Sequence, residues 1–181
     1  MPDAQRLFFA LWPAADFQDL VVARTRAFVG ASAKRVAPRD LHITLAFLGA
    51  ARAEQRICYE QAAGTLRGEP FHLQLDQLGQ WPTARVLWLA PSTVPGALTA
   101  LAQNLNNALS ACDFAPETRA YRPHMTLARK YTDALAVTPI ESLGWFVDRL
   151  VLAASEHTSA AARYRVVASW PLSNGAASEP P

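Results

Sequence analysis

The chain has 181 residues, a mass of 19.7 kDa and a formal net charge of +2, with 51% hydrophobic and 18% charged residues. That length suits one well-buried core or two small fused lobes, and the composition excludes a disordered chain. The near-neutral charge excludes a protein that coats long nucleic acid by charge alone. No apolar run approaches the ~20 residues that span a bilayer, and Met1 to Arg6 lack the zones of a signal peptide, so a cytoplasmic location is expected.

Along the chain, Arg6 to Trp12 reads as a short buried strand closed by Pro13. Ala14 to Val29 reads as an amphipathic helix, with Phe17, Leu20, Val21, Arg24 and Phe28 at helical spacing. Leu41 to Leu48 is a strand, Ala53 to Leu66 a second helix, and Phe71 to Leu78 an alternating, half-buried strand. The pattern then restarts. Arg85 to Leu89 echoes the opening strand, and Pro95 to Ala111 repeats the helix with a stripe of Leu98, Leu101, Leu105 and Leu109. Pro123 to Ala128 is a strand like Leu41 to Leu48, and Phe146 to Ala153 and Arg163 to Trp170 complete a second set. The echo predicts an α+β fold of two pseudo-symmetric lobes, each an antiparallel sheet backed by helices, with a cleft between them. Residues 1–172 form this single two-lobed domain of two interleaved α+β repeats, and 173–181 a frayed tail.

Two of the four histidines open the same tetrapeptide pattern, His42-Ile43-Thr44-Leu45 and His124-Met125-Thr126-Leu127. On a strand, residues i and i+2 share a face, so His42 points with Thr44 and His124 with Thr126. Leu41, Ile43, Leu45 and Phe47 then turn to the core, as do Met125 and Leu127. If the polar faces meet, two imidazoles and two hydroxyls converge. Hydroxyls can hydrogen-bond phosphate oxygens, while one neutral and one protonated imidazole move protons in opposite directions. The remaining composition agrees with a small phosphate substrate: all but two of the 17 basic residues, Lys34 and Lys130, are arginine, whose planar fork suits phosphate oxygens.

The segments Leu-His-Ile-Thr-Leu-Ala-Phe-Leu-Gly (41–49) and Tyr-Arg-Pro-His-Met-Thr-Leu-Ala-Arg (121–129) resemble the two-histidine phosphoesterase superfamily. The opening strand, the block 71–90 and the closing 164–172 narrow the likeness to its bacterial RNA 2',3'-cyclic phosphodiesterase (2'-5' RNA ligase, LigT/ThpR) family. The resemblance implies metal-independent hydrolysis of RNA 2',3'-cyclic phosphate ends to 2'-phosphomonoesters, with reversible 2'-5' ligation, without a cofactor. It makes His42 the proton donor and His124 the acceptor, an order that symmetric motifs cannot fix alone. Thr44 and Thr126 become phosphate-binding hydroxyls. Arg129 matches a family arginine, but simple alternation aims it away from His124, so it needs a bulge or a strand end. The implied partner is RNA with cyclic phosphate ends, such as tRNA half-molecules, met by a monomer. The alternative is a sister enzyme for ADP-ribose 1'',2''-cyclic phosphate or 2'-5' oligonucleotides.

Other residues invite plainer readings. Cys58 and Cys112 are expected as buried or half-buried thiols, and no His-Glu-x-x-His or cysteine pair predicts a zinc site. His72 reads as a surface or strand-edge residue and His157 as a loop residue. Lys34, Arg39 and Arg122 read as solvated cations, and Phe8 and Phe9 as core residues, although one could face the cleft and stack on a base. The five tryptophans, Trp12, Trp81, Trp88, Trp145 and Trp170, are assigned to the core or the lobe junction.

Overall fold

The computed structural model describes residues 4–156 and 163–173. His157 and the tail beyond Ser173 lie outside them. The chain runs β1 (Gln5–Leu11), α1 (Ala15–Thr25), β2 (Lys34–Arg35), β3 (Ile43–Ala51), α2 (Ala53–Gly64), β4 (Phe71–Trp81), β5 (Val86–Ala90), α3 (Gly96–Leu109), β6 (Met125–Arg129), β7 (Thr138–Val147), β8 (Arg149–Ser155) and β9 (Tyr164–Pro171). The architecture is α+β, a large antiparallel sheet with three helices. Among the described residues no helix is long and apolar enough to cross a membrane.

Strand order in the sheet is β7-β4-β5-β6-β3-β1-β8-β9, with β2 added beside β6. The two histidine-motif strands, β3 and β6, are thus central neighbours. Their ladder consists of a single residue pair, Ile43 opposite Met125. The repeat is interleaved. β4 leaves the first half to pair with β5, whereas the β8–β9 hairpin returns to β1. This corrects the expected second set of strands. Phe146 lies at the end of β7, Asp148 breaks the run, and Arg149 opens β8, so the segment read as one strand serves both outer wings.

The helices cross over as well. α1 lies against β7, where Phe17 stacks on Trp145 at 5.6 Å and Arg24 pairs with Glu141. α3 packs on β3 and α2, and α2 reaches β9. The α3 stripe is buried as its spacing predicts, with Leu98, Leu105 and Leu109 fully enclosed. α1 departs from its predicted face: Leu20 is 39% exposed, while Gln18 and Thr25 are buried. Both polar side chains bond locally, Gln18 to the Pro13 carbonyl and Thr25 to the Val21 carbonyl, which removes the cost of burying them.

Cys58 and Cys112 are not thiols. They form a disulfide joining α2 to the turn after α3, across 54 residues of chain. A loop of that length corresponds to about 4 kcal/mol of denatured-state entropy.

β1 explains why Arg6 to Trp12 reads as a continuous apolar run. Leu7, Phe9 and Leu11 enter the main core under the helices, while Phe8 and Ala10 join Val151 and Ala153 on the opposite face. Val86, Trp88 and Ala90 form the matching cluster in the other half. The helix-free face therefore carries two small apolar floors, one on each side of the β3–β6 seam.

Candidate active site

His42 and His124 each stand one residue before their strand, so they occupy strand mouths rather than strand interiors. Their surroundings follow the predicted alternation. His42, Thr44, His124 and Thr126 are half-buried, and Ile43, Leu45, Met125 and Leu127 are buried between them. Antiparallel register about the Ile43–Met125 pair sets residue 42 opposite 126 and residue 44 opposite 124. Each histidine faces the other copy's threonine.

Both imidazoles are held the same way. Nδ1 of His42 donates to the Asp40 carbonyl at 2.6 Å, and Nδ1 of His124 donates to the Arg122 carbonyl at 2.9 Å. A carbonyl can only accept, so Nδ1 carries the hydrogen and each neutral ring keeps its lone pair on Nε2. Arg122, read as a solvated cation, contributes its main chain to the site. Asp40, missed in the sequence, is 2% exposed, and its Oδ2 accepts the Arg163 amide at 3.1 Å. The residue thus ties the His42 loop to the start of β9. An Asp two positions before a strand histidine, in Asp40-Leu41-His42, is the signal that could have found it.

A bulge turns Arg129 toward the histidine face of its strand. The β5–β6 register jumps from Trp88–Thr126 to Leu87–Ala128, leaving Leu127 as an extra residue. This bulge makes Leu127 and Ala128 both buried and returns Arg129 to the face of His124 and Thr126. Its charge acts on both imidazoles. The first copy carries the same device. Register jumps from Ala10–Thr44 to Phe9–Ala46, so Leu45 is the extra residue and Phe47 takes the place of Arg129. Phe47, expected in the core, is instead 63% exposed on the cleft face, 6.1 Å from the ring of Phe8.

Aromatic rings line the histidines unequally. The Trp12 ring stacks on His42 at 4.9 Å with a 10° interplanar angle, Phe8 lies at 4.9 Å and Tyr164 at 5.1 Å. Trp12 is fixed by an Nε1 bond to the Arg39 carbonyl at 3.2 Å. His124 has Trp81 edge-on at 4.4 Å. Thus Phe8, Trp12 and Trp81 belong to the cleft, whereas Phe9 and Trp170 meet on the core side. Tyr121, in the segment before His124, donates to the Thr44 carbonyl at 3.1 Å and braces the seam. Burial holds its phenol above the ordinary tyrosine range.

Desolvation pushes His42 down to about 4, against its bond to the Asp40 carbonyl; Arg129 and His124 push the same way as burial. His124 is also lowered, first by burial and then by Arg129 and Arg119. The free site is therefore a cationic, partly dry pocket with neutral imidazoles. An anion seated there removes the cause of both shifts.

His72 contacts the Phe146 ring at 5.0 Å on the exposed wing, away from the histidine pair, in keeping with the surface position expected of it. Lys34 lies directly across from Arg129.

Residues 13–158 match the 2'-5' RNA ligase superfamily. The chain is 33% identical to the RNA 2',3'-cyclic phosphodiesterase of Escherichia coli K12 over 95% of its own length and 99% of the relative's. It is likewise 33% identical to the protein of that name from Thermus thermophilus, over 83% of this chain and 82% of that one. Among solved structures, E. coli LigT complexed with 3'-AMP aligns at a TM-score of 0.87 and 31% identity, covering 95% of this chain and 100% of the other. E. coli LigT complexed with phosphate aligns at 0.81 and 31% identity, covering 95% and 99%.

Proposed function

The chain belongs to the 2'-5' RNA ligase superfamily, and from that premise we propose that it is an RNA 2',3'-cyclic phosphodiesterase whose proton transfers run between His42 and His124. The observation that carries this reading is the matched pair of anchors. Both Nδ1 atoms are tied to carbonyls two residues upstream, so both Nε2 atoms are left to work.

Water attacks phosphorus and passes a proton to Nε2 of His124. The bond from phosphorus to the ribose 3' oxygen breaks with its electron pair on oxygen, and Nε2 of His42 protonates that oxygen. The product is a 2'-phosphomonoester with a free 3' hydroxyl. Thr44, Thr126 and Arg129 hold the non-bridging oxygens. The order of roles is supported by the Trp12 stack, because an aromatic face favours an imidazolium over a neutral ring. His42 takes up its proton as the phosphate anion arrives. Arg119 and Arg129 favour the neutral form of His124, the form that can accept a proton.

The two lobes work as one domain over residues 1–172, since each supplies one histidine. The enzyme acts as a cytoplasmic monomer on RNA ends such as those of tRNA halves. Reversal of the same steps with a 5' hydroxyl in place of water gives 2'-5' ligation.

The test is turnover of adenosine 2',3'-cyclic phosphate by the wild type, His42→Ala and His124→Ala. Either substitution should cost about 10³-fold in kcat with an unchanged circular dichroism spectrum. Formation of 3'-phosphate in place of 2'-phosphate, or activity surviving both substitutions, refutes the scheme.

A further inference from the structure

Beside the histidine pair lies a cavity of about 310 Å³ lined by Lys34, Arg85, Arg129, Lys130 and Arg163, with Ala84. Five cations converge there, drawn from both sides of the seam. Lys34 and Arg129 are cross-strand partners and so project from the same face. Val86 is the partner of Arg129 on its other side, which sets Arg85 at the lip. Among the described residues no ion pair involves any of the five. Like charges gathered without an acid repel one another, so this arrangement costs stability until an anion enters.

The backbone gives a second, independent sign. Among the described residues three non-glycine residues have positive φ, and two of them are Arg85 at 52° and Lys130 at 56°. Glycine adopts that conformation without strain. Here long basic side chains occupy it instead, at two points locked together by the Tyr131 amide bonding to the Arg85 carbonyl at 3.0 Å. Strain kept at two adjacent positions, both aiming charge into one cavity, marks a place where the side chain is wanted.

We propose that this cavity is a second phosphate subsite, taking the phosphodiester on the 5' side of the terminal nucleotide. The inference rests on the phosphodiesterase reading above. Arg129 belongs to both places, so the terminal cyclic phosphate and its upstream neighbour lie on either side of one guanidinium. The subsite makes the protein a reader of RNA ends rather than of loose cyclic nucleotides.

The experiment compares three substrates: adenosine 2',3'-cyclic phosphate, the same nucleotide with a 5' phosphate, and the dinucleotide ApA 2',3'-cyclic phosphate. The wild type should prefer the second and third over the first by about tenfold or more in kcat/KM. That preference should fall with salt at a log–log slope of about −0.7 for one added phosphate contact. Arg85→Gly and Lys130→Gly, which suit the backbone, should keep the thermal midpoint yet cut the preference several-fold, and Arg85→Lys should restore most of it. Equal kcat/KM on all three substrates overturns the proposal. So does a gain confined to the dinucleotide, which would assign the effect to its second base. If the wild type turns over none of them, the reading of the histidine pair fails instead.

Discussion

The two histidine strands differ most at the fifth residue after the histidine. Their first five residues behave alike: imidazole anchored to a carbonyl, core residue, threonine, bulged leucine, buried alanine. The bulge then delivers a different side chain to the same place, Phe47 in one copy and Arg129 in the other. The inner floors differ in a similar way. Ala10 pairs with Val151 in the first half, and Trp88 pairs with Gly79 in the second, so bulk sits on opposite members of equivalent strand pairs. A duplicated backbone thus fixes where protons can move. Single side chains then divide the cleft into an aromatic side and a cationic side.

Substitutions can break this division. Arg129→Ala should cost about 10²-fold in kcat/KM, because it removes a charge that acts on both imidazoles. Phe47→Ala at the matching position should cost only a few-fold, confined to KM; steady-state kinetics on a cyclic dinucleotide separates the two. Equal losses would mean that the copies are functionally interchangeable.

Next in size is the packing difference. A Cβ at Gly79 would collide with the Trp88 indole ring, so Gly79→Ala should destabilise by about 1–3 kcal/mol in denaturant titration. Ala10→Gly in the other half removes only a methyl group and should cost about 1 kcal/mol. Adding Trp88→Phe to Gly79→Ala should recover part of the loss.

The proton chemistry sharpens the comparison through pH. Both imidazoles are lowered in the free protein, His42 to about 4 and His124 below its ordinary 6.5. Singly protonated pairs dominate between the two titration steps, and the productive ones are those with the proton on His42 and His124 neutral. The profile of kcat/KM should therefore be bell-shaped with its maximum below pH 6.5, falling as pH rises because the free site loses its single proton. In kcat the bell should move to higher pH, since the bound anion raises both groups. Trp12→Leu should lower the basic limb of kcat by a fraction of a pH unit, the smallest of these effects.

Much of the site was legible, and the reasons are local. Alternation places His42 with Thr44 and His124 with Thr126 from spacing alone, and the repeat supplies the pairing. What alternation cannot count is a bulge. Leu45 and Leu127 each add one residue and invert the faces beyond them, which is why Phe47 reads as core and Arg129 needs a bulge to reach the cleft. The paired Leu-Ala steps, both buried, carry the only trace of it. Crossovers were equally hidden. Nothing within α1 says which half-sheet it backs, and the Cys58–Cys112 bond depends on α2 meeting the end of α3, a long-range contact. Trp12 and Trp81 look like any core tryptophan until β1 and β4 are placed beside the histidine strands.

The seam itself has a mechanical consequence. Ile43 and Met125 are the single ladder pair between the two central strands, with the Tyr121 phenol as a strut across it. The gap between the two Nε2 atoms is thus governed by the stiffness of one joint rather than by either wing. A small opening there separates donor from acceptor while every other strand pairing survives. Catalysis should be the most compliant property of the molecule, lost under mild denaturant or pressure well before the sheet melts.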